Sequence, residues 1–356
     1  MENKTPFLLP NGDIDRRSFM KVSGLLGLGL TTMAFLPATA EAVKFNRKFY
    51  KVSKTRLAMG TFVSMTLVHP SKNEAENAMG HAFEEIERLT GAMSRFDENT
   101  AVGMLNRDGM INDIPPEMAF VLSKAAEYYR LSEGSFDITV KPIVDLFRDS
   151  LANGNGAPPD EKEFKRAMKL VGGHRISIKG RSIRFETPGM GITLDGIAKG
   201  FIVDRASDIL SERGIENYLI NAGGDIRTKG TRQDRKPWTI AIQDPKKQGK
   251  YPDKVHMTDG AIATSGNYEI YFDREKMFHH IVDPIKGISP QMSSSVSVMS
   301  KTTMDADALS TGVFVMGPSK GINFINSHSG CECLVIGKEG STFKSFGWNS
   351  LKNQTI

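Results

Sequence analysis

Cysteine is nearly missing, with only Cys331 and Cys333 in 356 residues. Two thiols are too few for a disulfide scaffold or a four-cysteine zinc site. In Cys331-Glu332-Cys333-Leu334-Val335-Ile336 the spacing places both on one side of a strand, which suits two small buried hydrophobes or a redox pair. Blocks of like charge are also missing: 46 basic and 41 acidic residues give +5, spread along the chain, so no nucleic-acid partner is implied. There is no internal repeat and no low-complexity tract. What remains is 39% hydrophobic, 24% charged and 8% aromatic, with 34 Gly and 16 Pro, which excludes a collagen-like, mostly disordered or polytopic membrane chain. The length suits one large domain or two modest ones and is enough to bury a real core.

The one pronounced apolar run, 22–36, is interrupted by glycines and falls short of the ~20 residues a membrane span needs. It follows Asp15-Arg16-Arg17-Ser18-Phe19-Met20-Lys21 and precedes Pro37 with small residues at Ala38, Ala40 and Ala42. That three-part order is an export signal. Its paired arginines resemble a twin-arginine signal, with Asp15 where Ser or Thr is usual and Met20 where Leu is usual. Cleavage after Ala40 or Ala42 is expected, leaving 43–356 as a single domain in the periplasm once residues 1–42 are removed. The route carries folded proteins, commonly ones that load a cofactor first.

Beyond the signal, alternation over 56–69 predicts a strand. From 73 to 93 the apolar set Ala75, Ala78, Met79, Ala82, Phe83, Ile86, Leu89 and Met93 follows helical spacing. A second helix is expected over 116–132, with Pro at its start and Gly134 past its end. An exposed loop is expected over 153–159. Two short strands around Lys179-Gly180-Arg181 make a hairpin, and a strand over 191–194 is expected to run into a helix over 197–213. Further strands are expected at 217–221, 237–243, 268–272, 277–282, 296–300 and 331–336, with helices near 303–314 and 319–327. Hairpins mixed with helices imply an α+β fold of mixed, largely antiparallel sheets packed with helices.

Four segments carry candidate chemistry. In Leu194-Asp195-Gly196-Ile197-Ala198-Lys199-Gly200 small residues and a lysine open a helix, either as a plain turn or as a place where free N–H groups and a positive charge meet phosphate. Asn221-Ala222-Gly223-Gly224-Asp225 is either a tight hairpin or a backbone anion nest. Asp307 and Thr311 share a helix face, so they offer two oxygens to a hard cation unless Asp305 and Asp307 only complement the helix dipole. In Phe278-His279-His280-Ile281-Val282-Asp283-Pro284 the two imidazoles point to opposite faces of a strand. They therefore do not share one metal, but one of them can serve as a general base.

Taken in order, these segments resemble the ApbE family of FAD:protein FMN transferases. Met59-Gly60-Thr61, Met93-Ser94-Arg95-Phe96 with Leu105-Asn106, and Gly134-Ser135-Phe136-Asp137-Ile138-Thr139-Val140-Lys141-Pro142 come first. The Asp195-to-Gly200, Asn221-to-Asp225 and His280-to-Pro284 segments follow, then Ala306-Asp307-Ala308-Leu309-Ser310-Thr311. The resemblance spans about residues 55–340 and implies an ApbE-like, T-fold-like architecture.

The resemblance also implies an activity: FAD is the substrate, Mg²⁺ the metal, and FMN passes through its phosphate to a Thr or Ser of an acceptor flavoprotein, releasing AMP. The acceptors would be periplasmic or belong to membrane-bound electron-transfer systems. Carried over by motif, Asp307, Thr311 and the backbone carbonyl of Gly196 would hold the metal. Met59, Phe96, Ser135, Phe136, Asp137, Lys199 and Ile281 fall at flavin-site positions. The family's Asp six residues before the lysine is Thr193 here, with the acid at Asp195, so both belong to the candidate cofactor set. The family's Tyr after Met-Ser-x is Phe96, which keeps a stacking face and loses a hydroxyl. Lys199 would neutralise phosphate charge, His280 would be the base, and Asp283 its orienter or alternative. The same site admits two other activities, an FAD pyrophosphatase with water as nucleophile or a non-catalytic FAD carrier.

Overall fold

The computed structural model describes residues 41–46, 49–152, 158–246, 249, 251–267 and 278–351. In chain order come β1 (Glu41–Asn46), β2 (Phe49–Ala58), β3 (Thr61–His69), α1 (Lys72–Met93), α2 (Ala101–Asp108), β4 (Met110–Ile111), α3 (Pro116–Leu131), α4 (Lys141–Phe147) and α5 (Glu161–Met168). The hairpin β5 (Ile176–Lys179) and β6 (Ser182–Phe185) leads to α6 (Ala198–Glu212), β7 (Tyr218–Ala222), β8 (Asp225–Lys229), β9 (Trp238–Ala241) and β10 (Lys254–Met257). The rest is β11 (Gly260–Gly266), β12 (Ser293–Ser300), α7 (Thr303–Met316), α8 (Pro318–Asn326), β13 (Glu332–Gly337), β14 (Thr342–Lys344) and α9 (Trp348–Leu351).

Among the described residues one antiparallel sheet runs in the order β1-β2-β3-β7-β8-β11-β12-β13-β14, beside two small sheets, β4-β6-β5 and β10-β9. The expected α+β class with largely antiparallel sheet is what the chain adopts. Helices α1, α6 and α7 cover one face of the large sheet. Val63, Met65 and Leu67 of β3 point into that core together with Val296 and Val298 of β12. The buried residues of α1 are the eight that its sequence spacing selects, and Ser71 caps its start by accepting the Glu74 N–H. The β9–β10 hairpin covers the opposite face, where Ile226, Ile262, Met299 and Leu334 meet Val255 and Trp348.

Several expectations are corrected. The strand expected over 56–69 is broken by a two-residue turn, because Met59 (φ 53°) and Gly60 (φ 70°) are both left-handed and Ala58 pairs with Thr61. That is the geometry a right-twisted hairpin needs, and alternation alone does not reveal it. Residues 191–194 are buried but join no sheet. The Asn106 side chain substitutes for a neighbouring strand there, accepting the Ile192 N–H (2.7 Å) and donating to its carbonyl (3.0 Å). Residues 278–282 form no strand either, with a single bridge at His279. The expected strand at 268–272, most of the expected loop at 153–159 and the export signal up to residue 40 lie outside the described residues.

Cys333 faces the helical core as expected of a small hydrophobe, and Cys331 lies just before the strand. Both are free thiols, and burial pushes the Cys333 thiol up to about 12, which removes the thiolate a redox pair would use.

Candidate active site

The site forms where the starts of α6 and α7 meet. A tight turn, with the Leu194 carbonyl accepting from Ile197 (3.0 Å) and Ala198 (2.8 Å), opens α6 and puts Lys199 in its first turn. Lys199 Nζ lies 3.3 Å from Asp225 Oδ2. Asp225 is 1% exposed and begins β8, after a turn in which Asn221 Oδ1 accepts the Gly224 N–H at 3.0 Å. Gly223 (φ 62°) must be glycine on two grounds, since a Cβ there would also sit 2.5 Å from Thr61 Oγ1. The Met59-to-Thr61 turn is thereby packed onto the Asn221-to-Asp225 turn, so two motifs far apart in sequence adjoin.

Asp307 and Thr311 lie one turn apart on α7. Asp307 Oδ2 accepts the Gly200 N–H from α6 at 3.1 Å. A Cβ at Gly196 would stand 3.0 Å from Thr311 Oγ1 and 3.4 Å from Phe136 Cε2, so the Gly196 backbone adjoins the threonine. Ser265 of β11 completes the cluster, 3.2 Å from Thr311 Oγ1 and 2.8 Å from Ser310 Oγ. The sequence reading missed Ser265, whose only signal is its place in the small-residue run Ala263-Thr264-Ser265-Gly266.

Burial, and next the charge of Asp225, pushes the Asp307 carboxyl well above its ordinary value, while Lys199 and the Gly200 N–H oppose the rise. Two buried carboxylates thus draw on one lysine, and a further positive charge would relieve both. The donors gathered here are a carboxylate, hydroxyls and a backbone turn, all oxygen, which is the set a hard cation prefers. The residues present therefore fit a Mg²⁺-like ion.

Gly200 allows the close crossing of the two helices, since a Cβ there would lie 2.5 Å from the Thr303 carbonyl oxygen and 2.7 Å from Met304 Cα. Backbone cannot yield as a side chain tip can. Gly200→Ala is expected to destabilise the fold by about 1–3 kcal/mol by overpacking, although alanine gains ~1 kcal/mol of helix propensity. Urea unfolding measures the balance, and a variant as stable as the wild type would contradict the close approach.

The other candidates surround this centre unequally. Phe136 is buried edge-on to Tyr128, with centroids 6.0 Å apart, and Tyr128 donates to Asp305. Ser135 is buried nearby, and the Asp137 carboxylate closes its own turn, accepting from Thr139 N–H (2.8 Å), Thr139 Oγ1 (2.6 Å) and Gly173 N–H (2.9 Å). Burial raises its pKa above the ordinary carboxyl value. Thr193 is tied to the same segment through its N–H and the Ile138 carbonyl at 2.8 Å, and its hydroxyl accepts the Asp195 N–H at 3.3 Å.

Asp195 is exposed, with Oδ2 3.4 Å from Arg95 Nε. Arg95 also donates to Asp145 (3.0 Å) and lies over the Phe96 ring, 4.5 Å from its centroid. Against the upward push of burial, Lys141 and then Arg95 and Arg148 hold the Asp145 carboxyl below its ordinary value. Phe96 is 74% exposed, leaving a ring available for stacking.

Met59 sits in the hairpin turn, and Ile281 is buried in the main core. The two adjacent histidines differ sharply. His279 is fully buried, its Nε2 3.1 Å from the Pro290 carbonyl and its ring edge-on to Phe314, whereas His280 is half-buried. The Asp283 carboxylate closes the following turn, accepting from the Ile285 (2.9 Å) and Lys286 (3.1 Å) N–H groups and lying 3.3 Å from Lys286 Nζ. Asp283 is thus engaged as a turn-former, while the structure draws together Gly196, Lys199, Asp225, Asp307, Thr311 and Phe136.

This α+β fold is that of the flavin transferases. The chain belongs to the ApbE family, whose model matches residues 59–335. It is 32% identical over 273 residues to the FAD:protein FMN transferase of Vibrio cholerae, covering 75% of this chain and 81% of that one. Identity is 29% over 300 residues to the transferase of Haemophilus influenzae, covering 80% and 86%. The solved ApbE protein of Thermotoga maritima superposes with a TM-score of 0.76 at 27% identity, over 86% of this chain and all of that one. For the flavin transferase ApbE of Vibrio cholerae the TM-score is 0.75 at 27% identity, over 85% and 99%.

Proposed function

We propose that this flavin transferase moves FMN from FAD to a Thr or Ser hydroxyl of a periplasmic acceptor flavoprotein, with Mg²⁺ held by Asp307, Thr311 and the Gly196 carbonyl. The observation that carries the metal assignment is the burial of Asp307 and Asp225 around one lysine. In the reaction the acceptor oxygen bonds to the phosphorus on the FMN side of the pyrophosphate. The P–O bond to the AMP phosphate breaks, AMP leaves with the electron pair, and the hydroxyl proton passes to His280. When bound, the cation would neutralise charge gathering on the pyrophosphate oxygens.

Lys199 adds a fixed positive charge whose position Asp225 sets. Phe96 presents its exposed face to the isoalloxazine ring, and Arg95 beneath it stiffens that platform. Thr193, Ser135, Phe136 and Asp137 shape the wall beside Gly196, with Met59 and Ile281 behind the flavin.

Transfer and hydrolysis are separated by following AMP and FMN chromatographically, with FAD and Mg²⁺, in the presence and absence of an acceptor domain. The proposal expects AMP release to depend on the acceptor, with no free FMN. Equal AMP and free FMN without acceptor would make the chain a pyrophosphatase, and FAD bound but intact in both would make it a carrier.

Export through the twin-arginine signal completes the proposal. Arg16→Lys combined with Arg17→Lys is expected to hold the protein in the cytoplasm, read by cell fractionation. Normal export of that variant would remove the signal assignment.

A further inference from the structure

Asp204 lies on α6, one turn beyond Gly200, and plays no part in the chemistry above. Its carboxylate reaches out of its own helix. Oδ1 accepts the Thr303 N–H and Oδ2 the Met304 N–H, each at 2.9 Å. These are the first two N–H groups of α7, which have no partner within that helix. Yet α7 already has a local cap, because Thr302 Oγ1 accepts the Asp305 N–H at 3.1 Å. Asp204 is therefore a second cap, supplied by the neighbouring helix.

The arrangement is reciprocal. Asp307, one turn into α7, accepts the Gly200 N–H from the first turn of α6. Two rungs, Gly200 to Asp307 and Asp204 to Thr303, tie the helix starts together one turn apart. Asp307 is thus tied to α6 directly, whereas Thr311, a further turn along, is held to α6 only through the placement of α7 itself. The same face of β8 braces the tie: Asp225 holds Lys199, and Arg227, two residues on, places Nε 4.0 Å from Asp204 Oδ1 and donates to the Lys301 carbonyl.

We propose that Asp204 is a positioning residue that fixes the register of α7 on α6, so that Asp307 and Thr311 face the Gly196 turn and bind the divalent cation tightly. This rests on the cation site proposed above. Losing a partner bonded to a metal ligand typically changes metal affinity by ~10–100-fold, and Asp204 acts one step further out, through the α7 backbone, so the low end of that range is expected. Asparagine keeps the shape but turns an N–H₂ toward one of the two N–H groups, so Asp204→Asn breaks one bond of the pair.

The test is a Mg²⁺ titration of the full-length mature protein at fixed saturating FAD, reading the melting temperature, with an EDTA baseline. Asp204→Asn is expected to raise the half-maximal Mg²⁺ concentration about tenfold. Thr302→Ala, which removes the local cap of the same helix, should lower the EDTA melting temperature by a similar amount with the Mg²⁺ midpoint unchanged. Equal midpoints for wild type and Asp204→Asn would overturn the positioning role and leave Asp204 a simple cap. A wild type whose melting ignores Mg²⁺ would instead contradict the cation site itself, and the positioning role with it. Should Asp204→Asn fail to fold, Asp204→Glu keeps the charge and both acceptor oxygens but lengthens the tie by one methylene, which shifts α7 on α6. An unchanged midpoint in that variant would overturn the proposal, and a rise of a few fold would support it.

Discussion

Asp307→Ala is expected to lower FMN transfer by on the order of 10³-fold or more while the protein folds as well as the wild type. The loss follows from the chemistry: removing one preorganised group that stabilises developing charge already costs ~10²–10³-fold, and here that group would also anchor the cation. The intact fold follows from the electrostatics. Burial and the neighbouring Asp225 raise the folded-state pKa of Asp307 above its unfolded value. A carboxyl shifted in that direction costs stability once the pH rises past its unfolded pKa, and the cost is full above the folded one. In chelator at neutral pH the alanine variant lacks that cost but leaves the Gly200 N–H without its acceptor, so the two effects offset and its melting temperature should stay close to that of the wild type. Transfer rates with and without added Mg²⁺, beside thermal melts in EDTA, check both halves. A variant that turns over normally would sink the metal assignment, and one that unfolds would make Asp307 a structural residue.

His280→Asn carries the second large effect, a loss of ~10²–10⁴-fold in transfer with FAD affinity kept within a few fold, as for a missing general base. The wild-type rate should fall on the acid side, where an imidazole that already carries its proton can accept no other. In the asparagine variant that limb should vanish. Weakened FAD binding with normal transfer at saturation would make His280 a binding residue. If neither changes, the base lies elsewhere. His279 is a poor substitute, since it is fully buried against Phe314 and Pro290.

The sequence was most legible where one helix face meets one core. Helix α1 buries the residues its spacing selects, and Asp307 and Thr311 lie one turn apart because helical periodicity dictates it. Legibility fails where backbone conformation or tertiary approach decides. Met59 and Gly60 interrupt an unbroken alternating run through positive φ alone. Residues 191–194 look like a strand, yet their partner is a side chain, Asn106, from a distant helix. Ser265 and Asp204 left no pattern because their roles exist only once β11 and α6 are brought against α7. Glycines make those approaches possible, and periodicity does not identify which glycine faces which backbone. The recognised motifs succeeded as a set because they recorded such approaches together.

Intact-mass spectrometry of an acceptor domain after incubation with the mature enzyme, FAD and Mg²⁺, paired with in-gel flavin fluorescence, tests the central claim most directly. The predicted result is a gain of one FMN less one water on the acceptor, mapped to a single Thr or Ser, with one AMP released per acceptor modified. The gain should be absent in EDTA and with Asp307→Ala. An acceptor of unchanged mass while FAD is consumed, or modification that proceeds equally in EDTA, would contradict it.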